Sequence, residues 1–297
     1  MIPLSLVTGF LGSGKTTFLR GVAAACQGKK LAFVVNEFSG ADVDGKRIEE
    51  ETERVTALPG GSIFCHCLAG EFMRVMRSLP VWHGEDIEGV VIEASGTANP
   101  LAIENLLVES RLDRLYRIAS VVCIADPGTL PVLLQTLPNI SEQIVASDVV
   151  LLNKADLFDE AAIAAAEQAI HRIRPNVRIV RTAHCAAEIE LFPSRENRHL
   201  RGEIASAADP RYYSRYVLVS KNFDPVSLQI MLKNCSLAFY RVKGFVMMNG
   251  AVHYVDANRA GFDCIEVKEH SGMLGLAIIG HSEDRAKVDA ICKAWTR

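Results

Sequence analysis

The sequence lacks the features that mark several protein classes. It contains no apolar run approaching the roughly 18 residues that cross a bilayer, no internal repeat and no low-complexity tract. It also lacks an excess of charge of one sign, because acids and bases are interspersed and the net charge is only −3. We therefore expect neither a membrane nor a nucleic acid among the partners of this protein.

The eight cysteines do not form the regular frame of a disulfide-rich protein. In a chain of 297 residues they suit a reducing compartment, as buried side chains or as metal ligands. The opening residues, MIPLSLVTGFLGSGK, have no basic start and no small-residue cleavage site, so they predict a buried strand rather than a signal peptide. A cytoplasmic protein with one large or two modest domains is the resulting expectation.

Up to about residue 182, short apolar runs alternate with amphipathic segments. The runs LSLVTG, LAFVVN, VVIEA, VVCIAD and VVLLNK are rich in β-branched residues and predict buried strands. The segments 15–27, 70–79, 99–111 and 159–174 predict helices. Strands that alternate with helices indicate an α/β fold with a mainly parallel, doubly wound sheet.

The composition changes at residues 194–215, which are polar, basic and only weakly periodic. We interpret this segment as a linker between a first domain over 1–193 and a second domain over 216–297. After the linker, short apolar runs and two helices, near 225–235 and at 283–296, predict a smaller C-terminal α+β domain with an antiparallel sheet.

The segment GFLGSGKTT follows the first predicted strand and opens a helix, which is the setting of a phosphate-binding P-loop. Its glycines let backbone N–H groups wrap phosphate oxygens, and the helix N-terminus adds a positive end. Lys15 is predicted to supply charge to the outer phosphates during catalysis, and the Thr16 hydroxyl to bind Mg²⁺. The predicted nucleotide contacts of this loop are Gly9, Gly12, Ser13, Gly14, Lys15, Thr16 and Thr17. We therefore expect a P-loop NTPase domain.

The segment VLLNKADL places Asn153, Lys154 and Asp156 at the carboxyl end of a later strand. The carboxylate of Asp156 can accept hydrogen bonds from N1 and the amino group of guanine, whereas adenine presents the wrong pattern. Charged hydrogen bonds contribute roughly 1.5–3 kcal/mol, enough for about 10- to 100-fold discrimination. The sequence thus predicts GTP. His184 and Cys185 follow the last strand of this domain, where a base-contacting or core role is favoured over a role as metal ligands.

Two further strand ends carry acidic residues. In VVIEASG, Glu93 is predicted to hold Mg²⁺ through water or to orient the attacking water, while Gly96 presents its N–H to the γ-phosphate. In VVNEFSGADVDG, Glu37 is predicted to act at the nucleotide Mg²⁺ or at a second metal, in a loop that switches with the nucleotide. For Asp42 and Asp44 a site role and a solvent-exposed role are equally supported.

The stretch GGSIFCHC places Cys65, His66 and Cys67 in a row. Thiolate and imidazole groups suit Zn²⁺, Co²⁺ or Ni²⁺. In a regular strand the two cysteines share a face and His66 points away, whereas in a loop all three converge, or Glu37 completes a tetrahedron. The alternative is a pair of buried thiols beside a surface histidine. We predict metal binding by Cys65 and Cys67, with His66 as a further candidate.

Together these motifs resemble the CobW/HypB/UreG family of metal-handling GTPases, and most closely its CobW-like branch. TGFLGSGKTT, VVNEFSG, IEASGTANP and NKAD occur in family order, and YRVKGFV is similar to the start of the family's second domain. The resemblance covers nearly the whole chain. It implies slow GTP hydrolysis coupled to delivery of a transition metal, or of a metal-containing cofactor, to a client protein.

The chain departs from the family at its G-C-x-C-C signature. Gly61 aligns with the family glycine, but Ser62 and Phe64 replace the first two cysteines, and only Cys65 matches the third. The histidine-rich stretch that family members often carry is also missing. Two alternatives follow. The protein delivers Zn²⁺, Co²⁺ or Ni²⁺ from a shifted site, or it is a GTP-dependent chaperone that loads or reactivates a corrinoid or other metalloenzyme without a free-ion site.

The mechanism that these residues suggest is a nucleotide switch. GTP and Mg²⁺ order the loops around Glu37 and Glu93, the cysteine stretch lies between them in sequence, and metal or client affinity then differs between the GTP and GDP states. Intrinsic GTP hydrolysis is expected on the order of 10⁻⁴–10⁻³ s⁻¹, as in GTPases to which no arginine is supplied. A client or a nucleotide-dependent homodimer is expected to accelerate it. A small-molecule kinase is disfavoured by NKAD, and a scaffold with a vestigial nucleotide site is a further alternative.

Overall fold

The structure is a computed structural model in which residues 1–37, 54–59, 66–84, 86–194, 200, 202, 212–219, 222–235, 239–258, 261–267 and 274–295 are described. Contacts divide the chain into two units, Met1–Phe38 with Asp42–Ala208 and Ser39–Ala41 with Asp209–Arg297. Each unit has its own β-sheet and its own hydrophobic core. None of the helices in these ranges is long and apolar enough to cross a membrane.

The first unit contains a seven-stranded sheet in which every neighbouring pair of strands is parallel. Its strands are β1 (Ile2–Thr8), β2 (Leu31–Glu37), β3 (Val55–Pro59), β4 (Gly89–Glu93), β5 (Tyr116–Ala125), β6 (Val149–Leu152) and β7 (Arg178–Arg181). Their order across the sheet is β3-β2-β4-β1-β5-β6-β7.

Six α-helices connect these strands in the described part of the unit. They are α1 (Lys15–Ala25), α2 (His66–His83), α3 (Ile103–Glu109), α4 (Leu130–Thr136), α5 (Pro138–Ala146) and α6 (Glu160–Ile173). The helix predicted at 70–79 extends further in both directions and continues past Pro80. Met76 and Leu79, just before this proline, are fully buried, so packing holds the helix where local preference would end it.

Helices pack against both faces of the sheet because residues alternate along its strands. On one face Leu4 and Leu6 of β1 belong to a cluster with Phe72 of α2. On the other face Val7 belongs to a cluster with Phe18 of α1. Strands buried on both faces are apolar throughout, which is why they were visible as apolar runs in the sequence. The predicted α/β fold with a parallel, doubly wound sheet is confirmed.

Strand β1 lies where the chain changes direction across the sheet. After β1 the chain passes to β2 on one side, and after β4 it crosses β1 to reach β5 on the other side. In open α/β sheets, ligands bind outside the carboxyl ends of the strands at such a switch point. The glycine-rich segment that follows β1 therefore begins where this fold places a ligand.

The second unit is built on a six-stranded sheet. Its strands are β8 (Tyr212–Leu218), β9 (Asn222–Phe223), β10 (Arg241–Met248), β11 (Ala251–Asn258), β12 (Gly261–Glu266) and β13 (Gly275–His281). The order β12-β11-β10-β13-β8 has antiparallel neighbours throughout, and β9 pairs in parallel with β10.

The part of the second unit that the structure describes also contains two α-helices, α7 (Pro225–Cys235) and α8 (Arg285–Trp295). Leu228 of α7 and Val288 of α8 belong to one buried cluster with Val242 and Val246 of β10. The predicted C-terminal α+β region with an antiparallel sheet is confirmed. Its first strand begins at Tyr212, inside the segment assigned to a linker, and the boundaries at 193, 194–215 and 216 stay predictions.

Candidate nucleotide-binding site

The loop between β1 and α1 is shaped by glycines in the left-handed region. Gly9, Gly12 and Gly14 have φ angles of 138°, 75° and 117°. A Cβ atom at Gly9 would lie 2.2 Å from the carbonyl oxygen of Ile124, and one at Gly14 would lie 2.5 Å from Nδ2 of Asn153. Conformation and space therefore both exclude side chains, as a loop that brings its backbone to a phosphate requires.

Lys15 begins α1, and its side chain is buried within the loop. Its ammonium group donates hydrogen bonds to the carbonyls of Gly9, at 2.9 Å, and Phe10, at 3.3 Å. The loop thus encloses a positive charge beside a helix N-terminus, an arrangement that favours a phosphate group. In the same turn, Thr16 is half-buried and Thr17 is exposed.

The two acids predicted at strand ends lie on adjacent strands. Glu93 is the last residue of β4, is buried, and pairs in register with Val7 of β1. Glu37 is the last residue of the neighbouring strand β2. The sheet therefore brings both backbone positions to the edge where the P-loop begins. The side chain of Glu37 is not described, and Asp42 and Asp44 lie outside the described residues.

The segment after β4 packs directly against the P-loop. A Cβ atom at Gly96 would lie 2.7 Å from the backbone nitrogen of Leu11, so glycine is needed for this close approach. The N–H of Ser95 donates to Oδ1 of Asn36 at 3.2 Å, and Nε2 of Gln143 donates to the carbonyl of Gly96 at 3.1 Å. Gly96, predicted to contact the γ-phosphate, thus lies beside the P-loop; Gln143 holds its carbonyl and Asn36 holds the residue before it.

Asn153 of the NKAD segment joins three parts of the site. Its Nδ2 donates to the carbonyl of Ser13 in the P-loop at 2.8 Å. Its Oδ1 accepts from the backbone N–H of Cys185 at 2.8 Å and from the hydroxyl of Thr182 at 3.2 Å. Because the polar groups of a buried amide need hydrogen-bond partners, these three bonds fix the P-loop relative to the loop that follows β7.

Lys154 and Asp156 lie on the same turn with different surroundings. Lys154 has a φ of 63°, and its ammonium group contacts Oδ2 of Asp126 at 2.9 Å. Oδ1 of Asp126 accepts from the N–H of Gly128 at 2.9 Å. Asp156 is exposed, which leaves its carboxylate available to a base. The predicted guanine readers are therefore together at the carboxyl end of β6, and Asp126 holds one of them.

Cys185 packs beneath the P-loop. Its thiol donates to the carbonyl of Gly14 at 3.3 Å, and both Cys185 and the exposed His184 adopt left-handed backbone conformations, with φ of 57° and 52°. Burial raises the pKa of the Cys185 thiol to about 12, although the charge of Lys154 acts in the opposite direction. The residue is thus a neutral core thiol at ordinary pH, which is the kind of role that the sequence favoured for it.

The cysteine stretch is only partly described. Cys65 lies outside the described residues, and His66 and Cys67 are the first two residues of α2, with undescribed side chains. Since a helix has begun at His66, neither the strand nor the loop considered for these two residues is present. Among the side chains that the structure does describe, no group of three His, Cys, Asp or Glu is placed to hold a metal ion. Metal binding at this stretch stays a prediction.

Three residues of the site were not anticipated from the sequence. Asn36, Asp126 and Gln143 each hold a predicted site residue or its neighbour through a side chain. Asp126 carried a usable signal, because it directly follows the apolar run of β5 at the same sheet edge as the other motifs. Gln143 lies within a helix, where no local pattern distinguishes it from a surface glutamine.

Comparison with known proteins gives consistent matches. The family model described as the nucleotide-binding domain of CobW/HypB/UreG matches residues 3–181. The chain is 31% identical over 194 residues to a zinc chaperone CobW of Pseudomonas aeruginosa, which covers 55% of this chain and 51% of that protein. It is 26% identical over 233 residues to a zinc-regulated GTPase metalloprotein activator 1 of Dictyostelium discoideum, which covers 64% of this chain and 47% of that protein.

The crystal structure of Zn(II)-bound YjiA GTPase from E. coli aligns with 100% of this chain and 99% of its own, with 19% identity and a TM-score of 0.46. The chain spans about half the length of the curated relatives that it matches, 51% and 47% in the two proteins above.

Proposed function

The chain belongs to the CobW/HypB/UreG family and most closely resembles its CobW-like branch, and on that premise we propose that it binds GTP and Mg²⁺, hydrolyses GTP slowly, and uses its nucleotide state to deliver Zn²⁺, Co²⁺ or Ni²⁺ to a client protein. The observation that carries this proposal is the hydrogen bond from Asn153 to Ser13, which joins a guanine-reading segment to a phosphate-binding loop. We assign nucleotide chemistry to residues 1–193 and contact with the client to residues 216–297.

Phosphate binding rests on the loop from Gly9 to Thr17. The backbone N–H groups of the loop, the N-terminus of α1 and the ammonium of Lys15 supply positive charge at one point. In the structure that ammonium bonds to loop carbonyls, and the proposal is that it turns to the outer phosphates when a nucleotide binds. Gly96 adds a backbone N–H from the segment after β4, which packs against Leu11 of the P-loop.

Hydroxyl and carboxylate oxygens are the donors that Mg²⁺ prefers in proteins. Thr16 in the first turn of α1 and the buried Glu93 at the end of β4 form such a donor pair at one sheet edge, so these residues fit the ion. When bound, Mg²⁺ would neutralise charge on the phosphate oxygens. Glu37 and Glu93 are the candidates to orient the attacking water.

Guanine recognition is assigned to Asp156, supported by Asn153 and Lys154. A direct test replaces Asp156 by Asn, since an amide offers one donor and one acceptor where a carboxylate offers two acceptors. Wild-type protein should bind GTP and GDP about 10- to 100-fold more tightly than ATP, and Asp156→Asn should lose most of that affinity while gaining affinity for XTP. Calorimetric titration measures all of these constants. Tighter binding of ATP than of GTP by the wild type would revive the kinase interpretation.

The cargo is proposed from the names of the relatives and from the chemistry of Cys65, His66 and Cys67. Titration of Zn²⁺ and Co²⁺ against a chromogenic chelator, with a non-hydrolysable GTP analogue and with GDP, tests it. Tight binding that depends on the nucleotide and disappears in Cys65→Ala/Cys67→Ala is the expected result. Ser62→Ala is the matched control, since its hydroxyl is not a preferred ligand of these metals.

A second candidate function is favoured by one observation, the replacement of two signature cysteines by Ser62 and Phe64. In that case the protein is a GTP-dependent chaperone that loads or reactivates a corrinoid-dependent or other metalloenzyme. Weak metal binding, unaffected by nucleotide or by the cysteine substitutions, together with normal GTP affinity, would select this function over metal delivery.

Slow turnover is proposed to accelerate when a second copy or a client supplies a missing group. Specific GTPase activity measured over a wide range of protein concentration should rise if a nucleotide-dependent homodimer forms. A constant specific activity over that range and with added client protein would argue against both sources of acceleration.

A further inference from the structure

Gln143 lies on α5 and is buried, with 1% of the residue's surface exposed. Its Nε2 atom donates two hydrogen bonds, one to the carbonyl of Gly96 at 3.1 Å and one to the carbonyl of Ala98 at 3.3 Å. A primary amide has two N–H donors on one nitrogen, so each hydrogen meets one carbonyl. The side-chain amide of Gln143 therefore holds two carbonyls of the loop that follows β4.

The same loop is held at its other end. The N–H of Ser95 donates to Oδ1 of Asn36 at 3.2 Å, and Nδ2 of Asn36 donates to the carbonyl of Leu58 on β3 at 3.4 Å. The N–H of Gly96 lies between these two attachments. The peptide that carries this N–H is therefore flanked by two anchored peptides, one held by Asn36 and the other by Gln143.

The oriented peptide faces the P-loop. A Cβ atom at Gly96 would meet the backbone nitrogen of Leu11 at 2.7 Å, so the two backbones are in close contact. Gln143 also lines a small cavity together with Phe10, Leu11 and Ser13 of the P-loop. The glutamine thus lies directly behind the junction between the P-loop and the segment that follows β4.

We infer that Gln143 is a positioning residue that sets the Gly96 segment to bind the γ-phosphate, and so makes the affinity for GTP differ from that for GDP. This inference rests on the proposed function. The physical reason is that a backbone N–H binds a phosphate oxygen well only when its peptide is already oriented, because ordering a free loop on binding costs conformational entropy. Gln143 removes that cost without touching the nucleotide.

A merely structural glutamine would behave differently. Its loss would loosen the whole domain and weaken GDP and GTP alike, because both nucleotides share the base, the ribose and two phosphates. A residue that positions Gly96 for the γ-phosphate should leave GDP binding nearly unchanged. The ratio of the two dissociation constants therefore separates the two roles.

The experiment compares wild type, Gln143→Met and Ile144→Val for affinity to GDP and to a non-hydrolysable GTP analogue, and for kcat. Methionine preserves the length and volume of the side chain but donates no hydrogen bond. For Gln143→Met we expect an affinity for GDP within about 2-fold of wild type, an affinity for the analogue lowered about 10-fold, and a kcat lowered about 10-fold.

Ile144→Val is the matched control, since Ile144 is the next residue on α5 and is fully buried. Its melting temperature should fall by about 1–4 °C, while the ratio of the two affinities stays at the wild-type value. Gly96→Ala should resemble Gln143→Met in direction and exceed it in size, because the added Cβ atom meets Leu11.

If Gln143→Met keeps the wild-type ratio of GTP-analogue to GDP affinity, whether or not both affinities fall, the inference is overturned. The proposed binding of GTP by this protein would still stand. Failure of the wild-type protein to bind either guanine nucleotide would instead overturn the proposed function. If Gln143→Met does not fold, Gln143→Asn serves in its place. That variant keeps both amide hydrogens at a shorter reach, so its ratio should shift in the same direction, and a wild-type ratio would again contradict the inference.

Discussion

The side-chain amide of Asn153 donates a 2.8 Å hydrogen bond to the carbonyl of Ser13, a residue 140 positions earlier in the chain. The carbonyl oxygen of the same amide accepts from the backbone of Cys185. One buried side chain therefore ties the P-loop to the loop that follows β7. We therefore expect both the stability of the domain and its affinity for a nucleotide to depend on Asn153.

Replacing Asn153 by Ala should destabilise the protein strongly. The substitution leaves the carbonyl of Ser13 and the N–H of Cys185 buried without their partner, and each such group costs about 1–3 kcal/mol. The free energy of unfolding from urea denaturation should thus fall by about 2–6 kcal/mol. Asn99→Ala is the control, since Asn99 only caps a short turn through Leu101 and should cost about 0.5–2 kcal/mol. Equal losses in the two variants would contradict the bridging role.

Gly14→Ala, just before α1, should abolish nucleotide binding, whereas Gly21→Ala within α1 should not. Gly14 has a φ of 117°, and a Cβ atom there would lie 2.5 Å from Asn153 and 2.9 Å from Cys185. At Gly21 no atom lies within 4 Å of the added Cβ, and alanine should stabilise the helix by about 0.5–1 kcal/mol. Titration with GTP and thermal unfolding measure both effects. Retained GTP affinity in Gly14→Ala would show that the loop tolerates a side chain after all.

Asp126→Asn should weaken GTP and GDP binding by the same factor. Lys154 would lose its charged partner, while the asparagine oxygen could still accept from the N–H of Gly128. Because Lys154 is partly exposed, we expect a cost of only about 1 kcal/mol, or roughly 5-fold in both dissociation constants. Asp113→Asn, at an exposed position, is the control. A selective loss of GTP would place Asp126 with the γ-phosphate instead of the base.

The unfolding free energy should depend on pH through Cys123. Burial raises the pKa of this thiol from 9.0 to about 12, while the charge of Lys15 acts in the opposite direction. Between these values the unfolded chain loses the proton and the folded protein keeps it, so stability falls as the pH rises above 9. One such group contributes a slope of about 1.4 kcal/mol per pH unit.

Cys123→Ala should remove that contribution. Below pH 8 the free energy of unfolding of the variant should differ from that of the wild type by a constant amount. Above pH 9.5 the wild type should lose stability relative to the variant as the pH increases. Denaturation at a series of pH values measures both regions. Parallel stability curves up to pH 11 would mean that Cys123 ionises as easily in the folded protein as in the unfolded chain.

The parts of the site that were predicted from the sequence are those encoded within a few residues. The spacing of Gly9, Gly14 and Lys15 sets a loop, a helix start and a charge together, so no distant partner is needed to recognise them. The NKAD segment is likewise recognised from adjacent residues alone. The apolar runs of the buried strands predicted the parallel sheet, because strands that are covered on both faces contain few polar residues. The short edge strand β3 was not predicted, since five residues carry too little periodicity.

The positioning residues were not predictable because their partners are far away in the chain. Asp126 holds Lys154 from 28 residues away, Asn36 holds Ser95 from 59, and Gln143 holds Gly96 from 47. Nothing in the local pattern around Asn36 or Gln143 distinguishes a buried amide with two partners from a solvated one. Their roles depend on which strand and helix ends the sheet order brings together.

The sequence by itself determined the class of fold and predicted the phosphate loop and the proposed preference for guanine, because each depends on short-range spacing or on periodic burial. Only the tertiary structure decided that Asn153 joins the P-loop to NKAD, that Cys185 is a neutral thiol beneath Gly14, and that Gln143 lies behind Gly96. These relationships arise because the parallel strands end at one edge, where loops that are distant in sequence share the same small volume.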